Sequence, residues 1–231
     1  MNTEPLPTPD EAWRQMREGN RRFVEGSPQH PHQDVDTRHS LAEGQRPVAT
    51  LFGCSDSRLA AEIIFDKGLG DLFVIRNAGH MVSASAVGSI EYAVEILNVP
   101  LIIVLAHDTC GAVRAAIDGT AIDAAPLPPQ IWKLIAPIVP AARKVLASNG
   151  GKSAAEIDAE QVGREHLRNT VAELLSSSEI ISDAVAEGRL GIVGANYRLS
   201  QGEVIPIVSV GLSEDVGLAN DTHPASVKEQ L

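Results

Sequence analysis

Four short apolar runs rich in Val, Ile and Leu recur along the chain and alternate with stretches of helical periodicity. Each run is continuously apolar, which is typical of strands buried on both faces of a parallel sheet. Alternation of strand and helix favours right-handed crossovers and helices on both faces of that sheet. The predicted strands are residues 48–53, 72–76, 101–106 and 190–195.

A fifth apolar run, residues 204–210, follows the fourth strand after a turn-like segment at residues 200–203. A connection this short favours an antiparallel hairpin. Pro206 has no N–H to donate to a neighbouring strand, which places this strand at an edge of the sheet. The pattern therefore predicts an α/β fold with a central, mostly parallel sheet of four strands plus an antiparallel edge strand, flanked by helices.

Helical spacing of apolar residues fills the intervals between the predicted strands. Predicted helices cover residues 59–65, 84–97 and 111–117, and a longer helical region covers residues 128–187. His166 is expected on the polar face of this last region.

Residues 1–45 form a predicted N-terminal helical arm. A Pro-rich start precedes an amphipathic helix at residues 10–25, which carries Trp13, Met16 and Phe23, and a loop of His and Pro follows. Such an arm either packs on its own domain or reaches across to a partner subunit. At the other end, residues 214–231 are predicted to form a loosely ordered tail.

The composition is that of an ordinary globular chain of 231 residues, 44% hydrophobic and 21% charged. This length supports one sizeable core, so we predict a single domain over residues 1–231. A net charge of −11 disfavours nucleic acid and membranes as partners, since both require a basic surface. No apolar run is long enough to span a bilayer, and the first residues lack the features of a secretory signal.

Only two cysteines are present, and both lie in segments with metal-site chemistry. Cys54 directly follows the first predicted strand, while His107 follows the third and Cys110 begins the next helix. Because the carboxyl ends of parallel strands meet at one edge of the sheet, these three side chains are expected to lie close together. Two thiolates and one imidazole match a catalytic zinc site with an open fourth position, so we predict one Zn²⁺ per subunit.

Each of these residues also has an alternative interpretation. A cysteine is often a small buried apolar residue, and a histidine is often a core or surface group with no ligand. So few cysteines without a disulfide framework favour free thiols in a reducing compartment, and we expect a cytoplasmic protein.

At this point the residues resemble a known family, the β-class carbonic anhydrases. The resemblance rests on Cys54-Ser55-Asp56-Ser57-Arg58 followed by His107-Asp108-Thr109-Cys110-Gly111, and it extends to residues 19–23, 71–79 and 89–94. It covers about residues 10–212. By this resemblance, Cys54, His107 and Cys110 are zinc ligands and Asp56 with Arg58 forms a catalytic dyad.

The resemblance implies zinc-dependent, reversible hydration of carbon dioxide to bicarbonate and a proton by a zinc-bound hydroxide, in a homodimer or tetramer. In this family the same aspartate, here Asp56, can also become a fourth zinc ligand in a closed state. Considered only as side chains, Asp56 and Arg58 also fit a surface ion pair of little energetic value. Two other functions stay open: a zinc-binding or thiol-regulatory protein without turnover, and a hydrolase of carbonyl sulfide or carbon disulfide on the same fold.

Substrate contacts are implied by resemblance to the plant-type subclass of the family. Gln45, Phe73 and Tyr92 correspond to an amide donor and an apolar wall beside the zinc. A second subclass holds bicarbonate at a regulatory pocket that requires a Trp three positions before the first cysteine. This chain has Leu51 there, so we expect the plant-type site.

Overall fold

Five strands form one sheet in the computed structural model, which describes residues 5–148 and 153–219. The strands are β1 (Ala49–Cys54), β2 (Leu72–Asn77), β3 (Leu101–His107), β4 (Gly191–Arg198) and β5 (Glu203–Val210). Their order across the sheet is β2-β1-β3-β4-β5. The first four strands run parallel and β5 pairs antiparallel with β4, so the predicted fold class is confirmed. Pro206 lies on the edge strand, as its missing N–H requires.

Nine α-helices surround the sheet in the described residues. They are α1 (Pro9–Val24), α2 (Val35–Ser40), α3 (Ala61–Ile64), α4 (Ala84–Glu91), α5 (Gly111–Asp118), α6 (Pro129–Ile135), α7 (Val139–Ser148), α8 (Ala159–Ser177) and α9 (Glu179–Ala186). The predicted helix at residues 84–97 ends in a π-helical turn, Tyr92–Ile96. The predicted helical region at residues 128–187 is divided into α6 to α9. Pro137 lies in the 3-10 turn between α6 and α7, where its missing N–H interrupts the helical ladder.

The central strands separate two apolar clusters, one on each face of the sheet. Leu51, Ile103 and Leu105 belong to the cluster that α1, α3 and α5 to α7 cover. Phe52 and Ile102, from alternate positions of the same strands, belong to the cluster that α4 and α9 cover. Side chains on a strand alternate between faces, which is why continuous apolar runs supply both clusters.

The helix of the predicted N-terminal arm, α1, packs on its own domain. Met16 is 0% exposed and lies in the same cluster as the central strands. Asn20 donates hydrogen bonds to the carbonyl oxygens of Ile64 and Gly202, and its own oxygen accepts from the N–H of Val204. These contacts make α1 part of the core of its own chain. This is the first of the two arrangements that the sequence left open for the helix.

Residues 214–219 contain no helix or strand, but the segment is not detached from the domain. Val216 is buried, and the N–H of Ala219 donates to the carbonyl of Pro206 on β5. The rest of the predicted tail, residues 220–231, lies outside the described residues. Among the residues described, no helix combines the length and apolar character that a membrane span requires.

The order of the strands in the sheet changes direction at β1. β2 is added on one side of β1, and β3 and β4 are added on the other. At such a switch point the loops that follow the two adjacent strands diverge and leave a crevice at their carboxyl ends. Cys54 and His107 are the last residues of β1 and β3, and Cys110 follows β3 at the start of α5.

Candidate metal centre

Three ligand side chains converge at this crevice. Cys54 ends β1, His107 ends β3, and Cys110 is the N-cap residue of α5. One ligand atom from each residue lies within 4.8 Å of the other two, and all three residues are buried. The structure therefore brings together the three residues that the sequence proposed as metal ligands.

The His107 ring is oriented for ligation. Its Nδ1 lies 2.8 Å from the carbonyl oxygen of Asp108. A carbonyl only accepts hydrogen bonds, so the tautomer of the neutral ring that fits this contact carries its proton on Nδ1 and leaves a lone pair on Nε2. Nε2 is buried and has no hydrogen-bond partner among the described residues. Asp108 is itself fixed, because its carboxylate accepts the N–H of Leu199 and its own N–H donates to Tyr197.

The two thiols form a coupled pair in which the negative charge is favoured on Cys54. Hydrogen bonding from Cys110 lowers the pKa of Cys54 and outweighs the effect of burial, which acts in the opposite direction. The N–H of Gly79 adds a hydrogen bond to the Cys54 sulfur, with the nitrogen 3.3 Å away. The same contact between the thiols raises the pKa of Cys110, and burial adds to the rise. A bound cation would favour the thiolate form of both.

Asp56 and Arg58 form a bidentate pair in the loop after Cys54. Arg58 Nε lies 2.9 Å from Oδ1 of Asp56 and Nη2 lies 2.8 Å from Oδ2, while the Arg58 N–H also donates to Oδ1. These bonds from Arg58 hold the pKa of the Asp56 carboxyl well below its usual range, although partial burial opposes them. Oδ2 of Asp56 is 3.8 Å from Nε2 of His107. The pair thus faces the ligand cluster.

Arg76 braces the backbone of the same loop. From β2, its guanidinium donates to the carbonyl oxygens of Cys54 and Asp56 at 2.9 and 2.6 Å. These hydrogen bonds from Arg76 stabilise the backbone from Cys54 to Asp56.

The three residues predicted for the substrate pocket are not brought to the ligand cluster within one chain. Phe73 and Tyr92 stack on each other with ring centroids 6.1 Å apart, and Tyr92 is 48% exposed. Phe73 precedes Asn77, the partner of Cys54 in register, by four residues, or roughly 13 Å along the strand. Gln45 lies on the surface in a depression shared with Leu41 and Gly70. The roles of all three stay predictions.

Some features of the centre were not predicted from sequence. The prediction that His166 lies on a polar helix face is wrong: its side chain faces the interior and it is 4% exposed. Gly79 donates its backbone N–H to the Cys54 sulfur, and the ring of His166 reaches the Gly79 carbonyl from a distant helix. No local pattern marks such contacts, although the positive φ of +79° at Gly79 accords with the residue found there.

The donor set fits a soft divalent metal. Thiolate and imidazole ligands suit zinc, and three protein ligands leave a fourth position open. The unpartnered, buried Nε2 of His107 is the specific observation that a bound cation would explain. The fold and the site together define an α/β protein with a buried Cys-His-Cys centre at the switch point of its sheet.

Comparison with known proteins gives the family. The carbonic anhydrase family model matches residues 49–204. The chain is 48% identical over 205 residues to carbonic anhydrase 2 of Mycobacterium tuberculosis, covering 87% of this chain and 94% of that protein. It is 44% identical over 204 residues to the carbonic anhydrase of Mycolicibacterium smegmatis, with 87% and 94% covered.

Solved structures agree in fold. A Coccomyxa β-carbonic anhydrase aligns with a TM-score of 0.66 and 27% identity, over 88% of this chain and 91% of that one. A structure from a study of two tetrameric β-carbonic anhydrases of Sordaria macrospora aligns with a TM-score of 0.66 and 26% identity, over 78% and 90%. The chain therefore belongs to the β class of the carbonic anhydrase family.

Proposed function

We propose that this protein is a zinc-dependent enzyme that reversibly hydrates carbon dioxide to bicarbonate and a proton. The observation that carries the proposal is the Asp56–Arg58 pair beside the convergent Cys54, His107 and Cys110 side chains. A purely structural metal site has no need of an oriented carboxylate at its open side, and it is usually closed by a fourth protein ligand.

Cys54, His107 and Cys110 would hold the ion. When bound, zinc would act as a Lewis acid that lowers the pKa of water and so makes it nucleophilic near neutral pH. Asp56 would accept a hydrogen bond from the attacking water. This bond orients a lone pair of the water oxygen toward the carbon of carbon dioxide. Both carboxylate oxygens are held by Arg58 at hydrogen-bond distance, which fixes the direction in which Asp56 can accept.

The Asp56–Arg58 pair also opposes the closed state, in which Asp56 would become a fourth metal ligand. A carboxylate engaged twice by a guanidinium is held in place by those charge-assisted bonds, so it is less available to ligate a metal. The arrangement in this structure, with Asp56 on Arg58, supports the open state as the form competent for turnover.

We further propose that the enzyme is a homo-oligomer whose substrate pocket is completed by a second copy. Phe73 lies too far along β2 to reach the metal centre of its own chain, and it stacks on Tyr92 of the π-helical turn. Phe73 is half-buried and Tyr92 is 48% exposed, so the pair presents aromatic surface beside the edge strand. Among the described residues, β2 pairs only with β1, so its other edge is free for a partner. Val74, on the same strand, also exposes apolar surface. Gln45 is proposed to serve the same pocket as an amide donor.

Two thiolate ligands in an uncrosslinked chain favour a reducing environment. Both Cys54 and Cys110 are free thiols in the structure. We propose a cytoplasmic location on this ground.

Stopped-flow hydration of carbon dioxide with a pH indicator tests the activity, and elemental analysis of the same sample tests the metal. One zinc per chain together with hydration is the expected result. Zinc at full occupancy without turnover would support the alternative of a non-catalytic zinc protein. Turnover of carbonyl sulfide or carbon disulfide in place of carbon dioxide would support the alternative hydrolase.

A mixing experiment tests the shared pocket. A His107→Ala chain lacks a metal ligand but keeps its aromatic pair, whereas a Phe73→Ala, Tyr92→Ala chain keeps its ligands. Each alone should be inactive, and their co-expressed hetero-oligomer should recover part of the activity, since one of its sites has all groups. No recovery in an isolated hetero-oligomer would contradict a pocket built from two copies.

A further inference from the structure

The Cys54 sulfur accepts a hydrogen bond from a tightly specified turn. After β2, residues 77–81 fold back so that the side chain of Asn77 accepts the N–H of Met81 and donates to its carbonyl, at 2.6 and 2.7 Å. Within this turn Gly79 has a φ of +79°, and a Cβ there would lie 3.0 Å from the Cβ of Ala112. Only glycine fits such a position without strain, and it directs its N–H at Cys54.

A distant helix holds the other side of the same residue. His166 of α8 lies 87 positions from Gly79 in sequence, and its Nε2 is 2.9 Å from the Gly79 carbonyl oxygen. Because a carbonyl accepts, the ring donates through Nε2–H. The imidazole is buried, and it packs against the ring of His80 with centroids 4.6 Å apart.

The hydrogen bond from His166 to Gly79 lies in buried surroundings. Thr170, one turn further along α8, is also buried and donates its hydroxyl to the His166 carbonyl at 3.0 Å. Burial lowers the pKa of His166, which keeps its ring neutral near neutral pH, and the hydrogen bond to Gly79 opposes that shift only in part. The ring is therefore a neutral donor aimed at one backbone oxygen.

The physical consequence concerns the thiolate. An N–H donor on a ligating sulfur takes up part of its negative charge and fixes the direction of its remaining lone pairs. Gly79 can do this only if its backbone is held in place beside the Cys54 sulfur. His166 restrains the carbonyl of this residue, and the Asn77 to Met81 hydrogen bonds restrain the ends of the turn.

We propose that His166 is a positioning residue for the metal centre: its Nε2–H anchors Gly79 so that the Gly79 N–H stays on the Cys54 sulfur. The inference rests on the metal centre of the proposed function. Among the described contacts none joins His166 to a metal ligand, so it acts through the turn that carries Gly79, and its removal should loosen zinc binding without removing a ligand.

A pair of nearly isosteric variants separates the hydrogen bond from packing. His166→Gln and His166→Met both lose the ring that packs on His80, and both are flexible and similar in size. Only the Gln amide can still donate to the Gly79 carbonyl. Zinc release into an excess of a chromophoric chelator should be about 10- to 100-fold faster in His166→Met than in wild type, with His166→Gln restoring most of the difference.

Thr170→Val is the matched control, because it changes the same buried turn of α8 and leaves the Gly79 hydrogen bond in place. It should release zinc at the wild-type rate. Equal release rates in the Gln and Met variants would overturn the proposal, as would a Thr170→Val rate equal to that of His166→Met. If wild type binds no zinc, the proposed function fails together with this inference; if wild type holds zinc and only the variant comparison fails, the proposed function stands.

A measurement on the wild-type zinc-loaded chain covers the case in which the variants do not fold. The ¹⁵N spectrum of its imidazole rings should show His166 as the neutral Nε2–H tautomer, with a slowly exchanging proton. In a ¹¹³Cd-substituted sample, the Gly79 amide proton should show scalar coupling to the metal through the Cys54 sulfur. An Nδ1–H tautomer at His166, or a Gly79 amide without that coupling, would each contradict the arrangement.

Discussion

Arg58 engages both carboxylate oxygens of Asp56 at 2.9 and 2.8 Å, while one of those oxygens lies 3.8 Å from Nε2 of His107. The carboxylate thus stands between a guanidinium that holds it and a ligand cluster that would attract it once a cation is present. This position makes Arg58 the restraint on where Asp56 points.

Arg58→Ala should allow Asp56 to bind zinc as a fourth protein ligand, since its charge-assisted partner is gone. Zinc content should be unchanged, and turnover should fall by about 10- to 100-fold. X-ray absorption at the zinc edge should show a carboxylate oxygen that is absent in the Arg58→Ala, Asp56→Ala double variant. An exposed control, Arg38→Ala, should behave as wild type; a single Arg58→Ala variant with wild-type turnover would contradict the restraint.

Loss of a ligand should cost the metal itself. Replacing His107 with Ala leaves two protein ligands and an open cavity, so we expect zinc well below one per chain by elemental analysis after dialysis. Cys54→Ala and Cys110→Ala should behave in the same way. His39 is an exposed histidine, and His39→Ala is expected to retain zinc fully. A His107→Ala chain with wild-type zinc content would remove His107 from the ligand set.

A buried ion pair should make stability sensitive to acid. Asp66 is 3% exposed and accepts hydrogen bonds from Arg22 and from the N–H groups of Gln29 and His30. Burial raises the pKa of Asp66, but these bonds outweigh it and the net pKa is lowered. A lowered pKa means that the stabilisation is present above the unfolded-state pKa of about 4 and is lost as pH falls through the lower, folded value.

Asp66→Asn should therefore lower the free energy of unfolding by about 3 kcal/mol at pH 7. It should also flatten the dependence of that free energy on pH below about 4, measured by urea denaturation at one protein concentration. Glu25 forms an exposed i,i+4 pair with Arg21, and the control Glu25→Gln should change stability by less than about 0.5 kcal/mol. A variant and a wild type with parallel pH profiles would rule out Asp66 as the acid-sensitive group.

The N-terminal helix should contribute to the stability of each chain. Met16 is 0% exposed against the sheet, so Met16→Ala leaves a cavity that is expected to cost about 3 kcal/mol. Arg17 is the exposed neighbour, and Arg17→Ala should have little effect. Light scattering on folded Met16→Ala should give the wild-type mass. A loss of oligomer with unchanged chain stability would instead identify α1 as an assembly element.

Strand positions and candidate ligands could be predicted from sequence because both are local properties. A run buried on both faces is apolar at every position, so β1 and β3 lie within one residue of their predicted bounds. The soft-ligand chemistry of Cys54, His107 and Cys110 follows from their side chains. The places of Cys54 and His107 follow from the apolar runs that they terminate, and Cys110 begins the helix after the second of these runs. The family resemblance added the pairing of Asp56 with Arg58, which the structure shows.

Other properties depend on which strands are neighbours and on which helix covers them, and no local pattern records that choice. The sequence left open whether α1 packs on its own domain, and it placed His166 on a polar face. The tertiary structure decided both, because the burial of Met16 and the bond from His166 to Gly79 arise only once distant segments meet across the sheet. By itself, then, the sequence determined the class of fold and the donor atoms of the centre. Their convergence within 4.8 Å and the bracing around them required the strand order β2-β1-β3-β4-β5, because adjacency in a sheet is fixed by long-range pairing and not by local propensity.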